Sequence, residues 1–210
     1  MTLKEKTLEV IKRLRKEYPE PKTALNFKSP FELLVATVLS AQTTDALVNR
    51  VTENLFRKYK TVKDYADASL EALQKDVGSV NFYKTKAKNI QACAKIIVEK
   101  FSSKVPKTME ELVTLPGVAR KTANIILSNA YGIHEGIAVD THVKRLAYRL
   151  GLTKNEDPVK VEQDLISLTP KEEWRDISHL LIFHGRKICQ AKKPKHNECV
   201  LYDICPSRNI

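Results

Sequence analysis

Apolar residues recur at three- and four-residue intervals along almost the whole chain. Leu3, Val10, Ile11 and Leu14 form one stripe, Ala87, Ile90, Ala94, Ile97 and Phe101 a second, and Val143, Leu146, Ala147 and Leu150 a third. This is the spacing of helices with one buried face, and no segment has the alternation of a half-buried strand. Helix starts are marked where Ser29 precedes Pro30 and Glu32, and where Thr108 precedes Glu111. Both have the spacing of a cap in which hydroxyl and downstream carboxylate bond reciprocally. Gly78, Gly132 and Gly151 are expected stops. The pattern predicts an all-α protein of about ten short helices, with no internal repeat and no low-complexity linker.

Composition narrows the partners rather than the fold. The 210 residues, 42% hydrophobic, suffice for a sizeable core. Lys and Arg number 36 against 25 Asp and Glu, a net charge of +11 that suits a polyanion, nucleic acid before an acidic membrane surface. Met1 to Tyr18 mixes charged and apolar residues, unlike a signal peptide, and no stretch approaches the roughly 20 apolar residues of a membrane span. A cytoplasmic protein is expected, and a monomer, since no heptad seam is present. Three of the four cysteines, Cys189, Cys199 and Cys205, fall in the last 22 residues, which in a reducing compartment points to metal rather than disulfide. Cys93 shares a helical face with Ile90 and Ile97 and is read as core.

The segment Leu115-Pro116-Gly117-Val118-Ala119-Arg120-Lys121-Thr122-Ala123 lies between a helix starting at Thr108 and one running to Tyr131. It reads as helix, hairpin, helix. Gly117 lets backbone approach a ligand, and the amides opening the second helix form a site for a phosphate oxygen, so the segment binds DNA without reading its sequence. Alone, the same residues would suit a Pro-Gly turn in any all-α protein. Arg120 and Lys121 alone would suit phosphate contacts or a solvated face.

Two more segments accompany it: Leu39-Ser40-Ala41-Gln42-Thr43-Thr44-Asp45 and Ala138-Val139-Asp140-Thr141-His142-Val143. With the hairpin, the run Ser29-Pro30-Phe31-Glu32-Leu33-Leu34 and the cysteine-bearing tail, they closely resemble the endonuclease III family in order along essentially the whole chain. The resemblance implies two helical lobes flanking a DNA-binding cleft. One is a six-helix barrel over about residues 22–133, with the helix-hairpin-helix at about 108–131. The other is an iron-sulfur cluster lobe made of residues 1–21 and 134–210.

It also implies roles. Lys121 would attack C1′ of the damaged nucleotide, expel the base, form a Schiff base and nick the strand by elimination of the 3′ phosphate. Beside Arg120 and partly desolvated, its amine should have a lowered pKa. Asp140, placed to cap the helix of Val143 to Leu150, would remain ionised, stabilise positive charge on the sugar and help deprotonate Lys121. Gln42 and Phe82 are the candidates for insertion into the duplex where the target base is flipped out. At Phe82 the family usually has a smaller aliphatic residue after glycine, whereas this chain reads Asn81-Phe82-Tyr83, and core packing is the alternative. Leu115, Gly117, Ala119 and Arg120 would make the hairpin contacts with DNA. Ala119 stands where the family favours a second glycine and is expected to have helical angles, at which alanine is unstrained.

The family's four cluster cysteines are separated by six, two and five residues, places held here by Cys189, His196, Cys199 and Cys205. Spacing is intact but one thiolate is an imidazole. A 4Fe-4S cluster is the family expectation, whereas three cysteines and a histidine are also a common zinc set. Residues 186–195 contain five cations and no acid, and Lys192, Lys193 and Lys195 are candidate phosphate contacts. The implied function is a bifunctional DNA glycosylase and abasic-site lyase of base excision repair. Double-stranded DNA with damaged bases, oxidised or ring-saturated pyrimidines above all, or with abasic sites would be its partner in the cytoplasm at the nucleoid. A monofunctional mismatch glycosylase is the nearest rival, disfavoured by Lys121. A non-enzymatic helix-hairpin-helix binding protein would need neither Lys121 nor Asp140.

Overall fold

The computed structural model describes residues 1–208, and among them all regular structure is helical. In chain order the α-helices are α1 Leu3–Glu17, α2 Pro30–Ser40, α3 Asp45–Lys58, α4 Val62–Asp67, α5 Leu70–Asp76, α6 Tyr83–Lys100, α7 Met109–Leu112, α8 Arg120–Ile126, α9 Thr141–Arg149, α10 Pro158–Leu168 and α11 Trp174–Lys187. Two compact units result: Thr23–Ile133, and Met1–Lys22 with His134–Ile210.

The Thr23–Ile133 unit is built around α2. Phe31 and every residue from Leu33 to Leu39 are buried, so this helix has no solvent face and packs against α3, α6 and α8. Its start is fixed by Ser29, whose hydroxyl accepts from Glu32 N–H, with Pro30 at the first helical position. The expected reciprocal bond is not made: the Glu32 carboxylate accepts from Lys28 N–H, one residue upstream. At Thr108 the hydroxyl both accepts from Glu111 N–H and donates to the Glu111 carboxylate, again without the reciprocal backbone bond. Complete reciprocal caps occur instead at Thr2 with Glu5 and Thr61 with Asp64.

Beyond α8 the chain continues as a π-helical stretch, Leu127–Tyr131, and stops at Gly132 in the left-handed region with φ 66°. Side chains there return to the backbone, Ser128 Oγ donating to Asn124 O at 2.7 Å and Asn129 Nδ2 to Ile125 O at 3.0 Å. In the other unit α1 packs on α10 and α11, and α9 on α11, around Val10, Leu14, Val143, Leu146, Leu165 and Leu180. From Ile188 onward the regular structure among the described residues is two three-residue turns, His196–Glu198 and Tyr202–Ile204.

Candidate active site and nucleic-acid interface

In the Thr23–Ile133 unit the hairpin is a tight connection held from two sides. Leu115 N–H bonds to Leu112 O and Val118 N–H to Leu115 O, at 3.1 and 3.0 Å. The side chains of Leu115 and Val118 point into the core, so the DNA contact expected of Leu115 is available only to its backbone. Gly117 has φ 77°, which favours glycine, and a Cβ there would lie 2.6 Å from Asn89 Nδ2 on α6, so any side chain would also have to displace Asn89. Cys93, one helical turn further along α6, donates its thiol to Pro116 O at 3.0 Å. Burial pushes that thiol up to about 12, so it stays a protonated donor. Cys93 is thus core, as its face indicates, and a prop for the hairpin, which its spacing does not reveal.

Ala119 caps α8 with φ −84° and ψ 168°. The expectation of helical angles is wrong, but the extended cap at negative φ is equally free of strain for alanine. It brings no side-chain cap to the first turn of α8. Lys121 is the second residue of α8 and is exposed, with Arg120 half-exposed beside it.

The same unit carries both wedge candidates. Gln42 is exposed at φ 53° on the turn between α2 and α3, and Phe82 is 64% exposed at φ 58° just before α6. Core packing of Phe82 is thereby excluded. The two are linked, because Asn81 Nδ2 donates to Gln42 O at 2.5 Å. Both are non-glycine residues in the left-handed region, as are the exposed Ser102 and Ser103.

In the other unit Asp140 is the N-cap of α9, and its Oδ1 accepts from Val143 N–H at 2.8 Å. It is half-buried, and the segment before it is anchored by Ser178 Oγ donating to Ala138 O at 2.7 Å. His142, on the first turn of α9, lies 3.2 Å from Arg145 through its Nδ1, and burial lowers its pKa.

Cys189, His196, Cys199 and Cys205 line one small pocket of about 20 Å³, walled by Ile188 and Tyr202. Burial pushes the Cys199 and Cys205 thiols up. Among the described residues no three His, Cys, Asp or Glu side chains converge as they would on a single ion. Basic side chains bind the tail down. Arg149 donates to the carbonyls of Gln190 and Ala191 at 2.8 and 2.9 Å, and its Nη1 lies 3.4 Å from Cys189 Sγ. Arg145 donates to Cys189 O at 3.0 Å, and Arg13 on α1 is paired with Asp203. His184 Nε2 lies 3.3 Å from Cys199 Sγ, and its Nδ1 is 3.3 Å from the Tyr18 hydroxyl; burial pulls its pKa down to about 4. Nothing in the sequence pattern singles out these arginines or His184. Lys192 and Lys193 are exposed, as is Lys195, which is paired with Glu198 at 3.4 Å.

Residues 35–171 match the HhH-GPD superfamily of base excision DNA repair proteins. The chain belongs to that family. Among its relatives, endonuclease III of Synechocystis sp. is 48% identical over 97% of this chain and 93% of its own length, and that of Bacillus subtilis 50% identical over 90% and 86%. A solved structure of a trapped endonuclease III–DNA covalent intermediate, an estranged-adenine complex, is 42% identical with a TM-score of 0.93, covering 99% of this chain and 98% of that one. A thermostable thymine-DNA glycosylase, 20% identical at a TM-score of 0.87, shares the HhH-GPD fold. No helix among the described residues is long and apolar enough to cross a membrane.

Proposed function

We propose that this HhH-GPD protein is a bifunctional DNA glycosylase and abasic-site lyase that removes damaged bases, oxidised or ring-saturated pyrimidines first among them, from double-stranded DNA at the nucleoid. The observation that carries the reading is Lys121 at the head of α8, behind a Leu-Pro-Gly hairpin, in a chain alike over 99% of its length to a protein caught in a covalent complex with DNA.

The chemistry follows from the residues. The hairpin amides and Arg120 hold backbone phosphates, and Gln42 with Phe82 fills the gap left by the extruded nucleotide. The Lys121 amine attacks C1′, the C1′–N bond breaks, and the base leaves with the bonding pair and a proton. Asp140, whose carboxylate accepts from Val143 N–H at the head of α9, stabilises the cationic sugar and accepts the proton that Lys121 sheds. The sugar ring then opens, the C1′–O4′ bond breaking with O4′ keeping the pair and taking up a proton, and loss of the C2′ proton from the resulting iminium expels the 3′ phosphate, nicking the strand.

Endonuclease III proteins generally contain a 4Fe-4S cluster, and Cys189, Cys199, Cys205 and His196 are the groups that would hold one here. Thiolates and imidazole both ligate iron, and these four donors line one pocket. When bound, the cluster supplies a structural crosslink that pins Lys192, Lys193 and Lys195 as phosphate contacts, with no part in base excision. Borohydride reduction during turnover tests the assignment: wild-type protein should become covalently joined to lesion-bearing DNA, and Lys121→Gln should not. A wild-type protein that removes bases without ever being trapped would be a monofunctional glycosylase.

A further inference from the structure

α6 contains a lysine that the chemistry above does not use. Lys84 and Lys88 are solvent-exposed, whereas Lys86 between them is 6% exposed and falls on the same stripe as buried Ile90, Cys93 and Ile97. Its ammonium has three protons and three acceptors: Leu39 O at 2.8 Å, Ala41 O at 2.6 Å and Thr43 Oγ1 at 3.1 Å. All three belong to the end of α2 and the turn beyond it, the turn on which Gln42 stands.

These partners are neutral oxygens, so this is a cation removed from water without a carboxylate against it, and burial lowers its pKa. Part of the cost is offset because the last carbonyls of a helix lack backbone partners and carry its negative dipole end. An apolar side chain would fill this position more cheaply if filling the core were all that was needed. What the ammonium adds is direction. It holds the carbonyl before Gln42 and the hydroxyl after it, while Asn81 holds the carbonyl of Gln42 itself at 2.5 Å. A residue at φ 53° that is not glycine is retained only where its surroundings fix it.

We infer that Lys86 is a positioning residue for base extrusion, fixing the turn of residues 41–43 so that Gln42 is already presented to the DNA stack before DNA arrives. The inference rests on the reading of Gln42 as a residue that enters the duplex. It makes the wedge pre-ordered, so that binding energy is not consumed in freezing the turn. A lysine acting only as a helix cap would contribute stability and leave the balance between extrusion and lyase chemistry unchanged.

The test compares two substrates with the full chain. One is a duplex bearing an oxidised pyrimidine with 2-aminopurine beside it, whose fluorescence rises on unstacking. The other is a duplex with a preformed abasic site, where no base has to be extruded. Lys86→Met should slow single-turnover base excision and reduce the fluorescence rise by about tenfold or more, while borohydride trapping at the abasic site changes less than about threefold. Thr43→Val, which deletes one acceptor and leaves the ammonium in place, should shift both readouts in the same direction by about threefold, and it decides the matter if Lys86→Met does not fold. Equal losses on both substrates, or no loss on either, would overturn the inference. Gln42→Ala separates the two layers. A full fluorescence rise in that variant removes the wedge reading itself; an abolished rise there, with Lys86→Met and Thr43→Val unimpaired, removes only the role of Lys86.

Discussion

The Thr23–Ile133 unit and the remainder of the chain bury apolar helix faces equally well but hold their functional residues by different means. The first has no histidine and a single cysteine, and its hairpin and wedge turn are propped from α6 by Lys86, Asn89 and Cys93, side chains on a helix that is itself core. The second holds all five histidines and three of the four cysteines. Its tail beyond Ile188 is fastened by arginine-to-carbonyl bonds and by the sulfur and imidazole groups around one pocket. A surface hung on a packed helix needs no further ligand. A tail with few apolar anchors among its described residues relies on polar crosslinks.

Asp140 is the one proposed catalytic group outside the Thr23–Ile133 unit. Asp140→Asn should slow base release by about a hundredfold or more, with DNA affinity changed only a few-fold, because the missing charge acts on a cationic transition state. As a cap it should lower stability by about 1 kcal/mol, read from the melting temperature. Parallel losses of rate and affinity would mean that capping is its whole role.

Iron removal should act on one unit alone. Anaerobically purified protein should be yellow-brown with about four irons. On chelation the emission of Trp174, the single tryptophan, should shift to that of an exposed indole, while most helical circular dichroism persists because Thr23–Ile133 has its own core. His196→Cys should hold its colour longer in air. Colourless protein with one zinc would remove the cluster from the account.

Acid should discriminate similarly. Burial pulls His179 down to about 4 from 6.5, so between those values the unfolded chain binds a proton that the folded chain does not. Stability of that unit should therefore fall as pH drops from 6.5 towards 4, by about 3 kcal/mol at most from His179. Denaturant melts followed at Trp174 should show it, and His179→Gln should flatten the slope. The smallest effect lies in the basic loop. Replacing Lys192, Lys193 and Lys195 should reduce the salt dependence of abasic-DNA binding by about one unit of slope for each phosphate that these lysines neutralise. An unchanged slope would mean that the loop does not touch DNA.

Much of this architecture is legible in the sequence itself. Stripes such as Val143, Leu146 and Ala147 give helices, Asp140 reads as a cap from its position alone, and the spacing of Cys189, His196, Cys199 and Cys205 brings distant chemistry to one pocket. The reciprocal caps expected at Ser29 and Thr108 do not form because a carboxylate at the right spacing has several donors within reach. The π stretch at Leu127–Tyr131 depends on side chains returning to carbonyls, which leaves no periodic mark. Lys86 does leave one. It occupies an apolar register, and a lysine on a buried stripe is a signal for a specific partner; what the sequence lacks is that the partner lies more than forty residues earlier, around Gln42.

The central claim is that one amine performs the reaction, and the most direct measurement is the location of the covalent bond. Wild-type protein reduced with borohydride on lesion-bearing duplex, then digested with nuclease and protease, should give a single modified peptide, with the sugar remnant on the side chain of Lys121. A remnant on Lys86, Lys192 or the chain's amino terminus, or undiminished trapping in Lys121→Gln, would contradict the account.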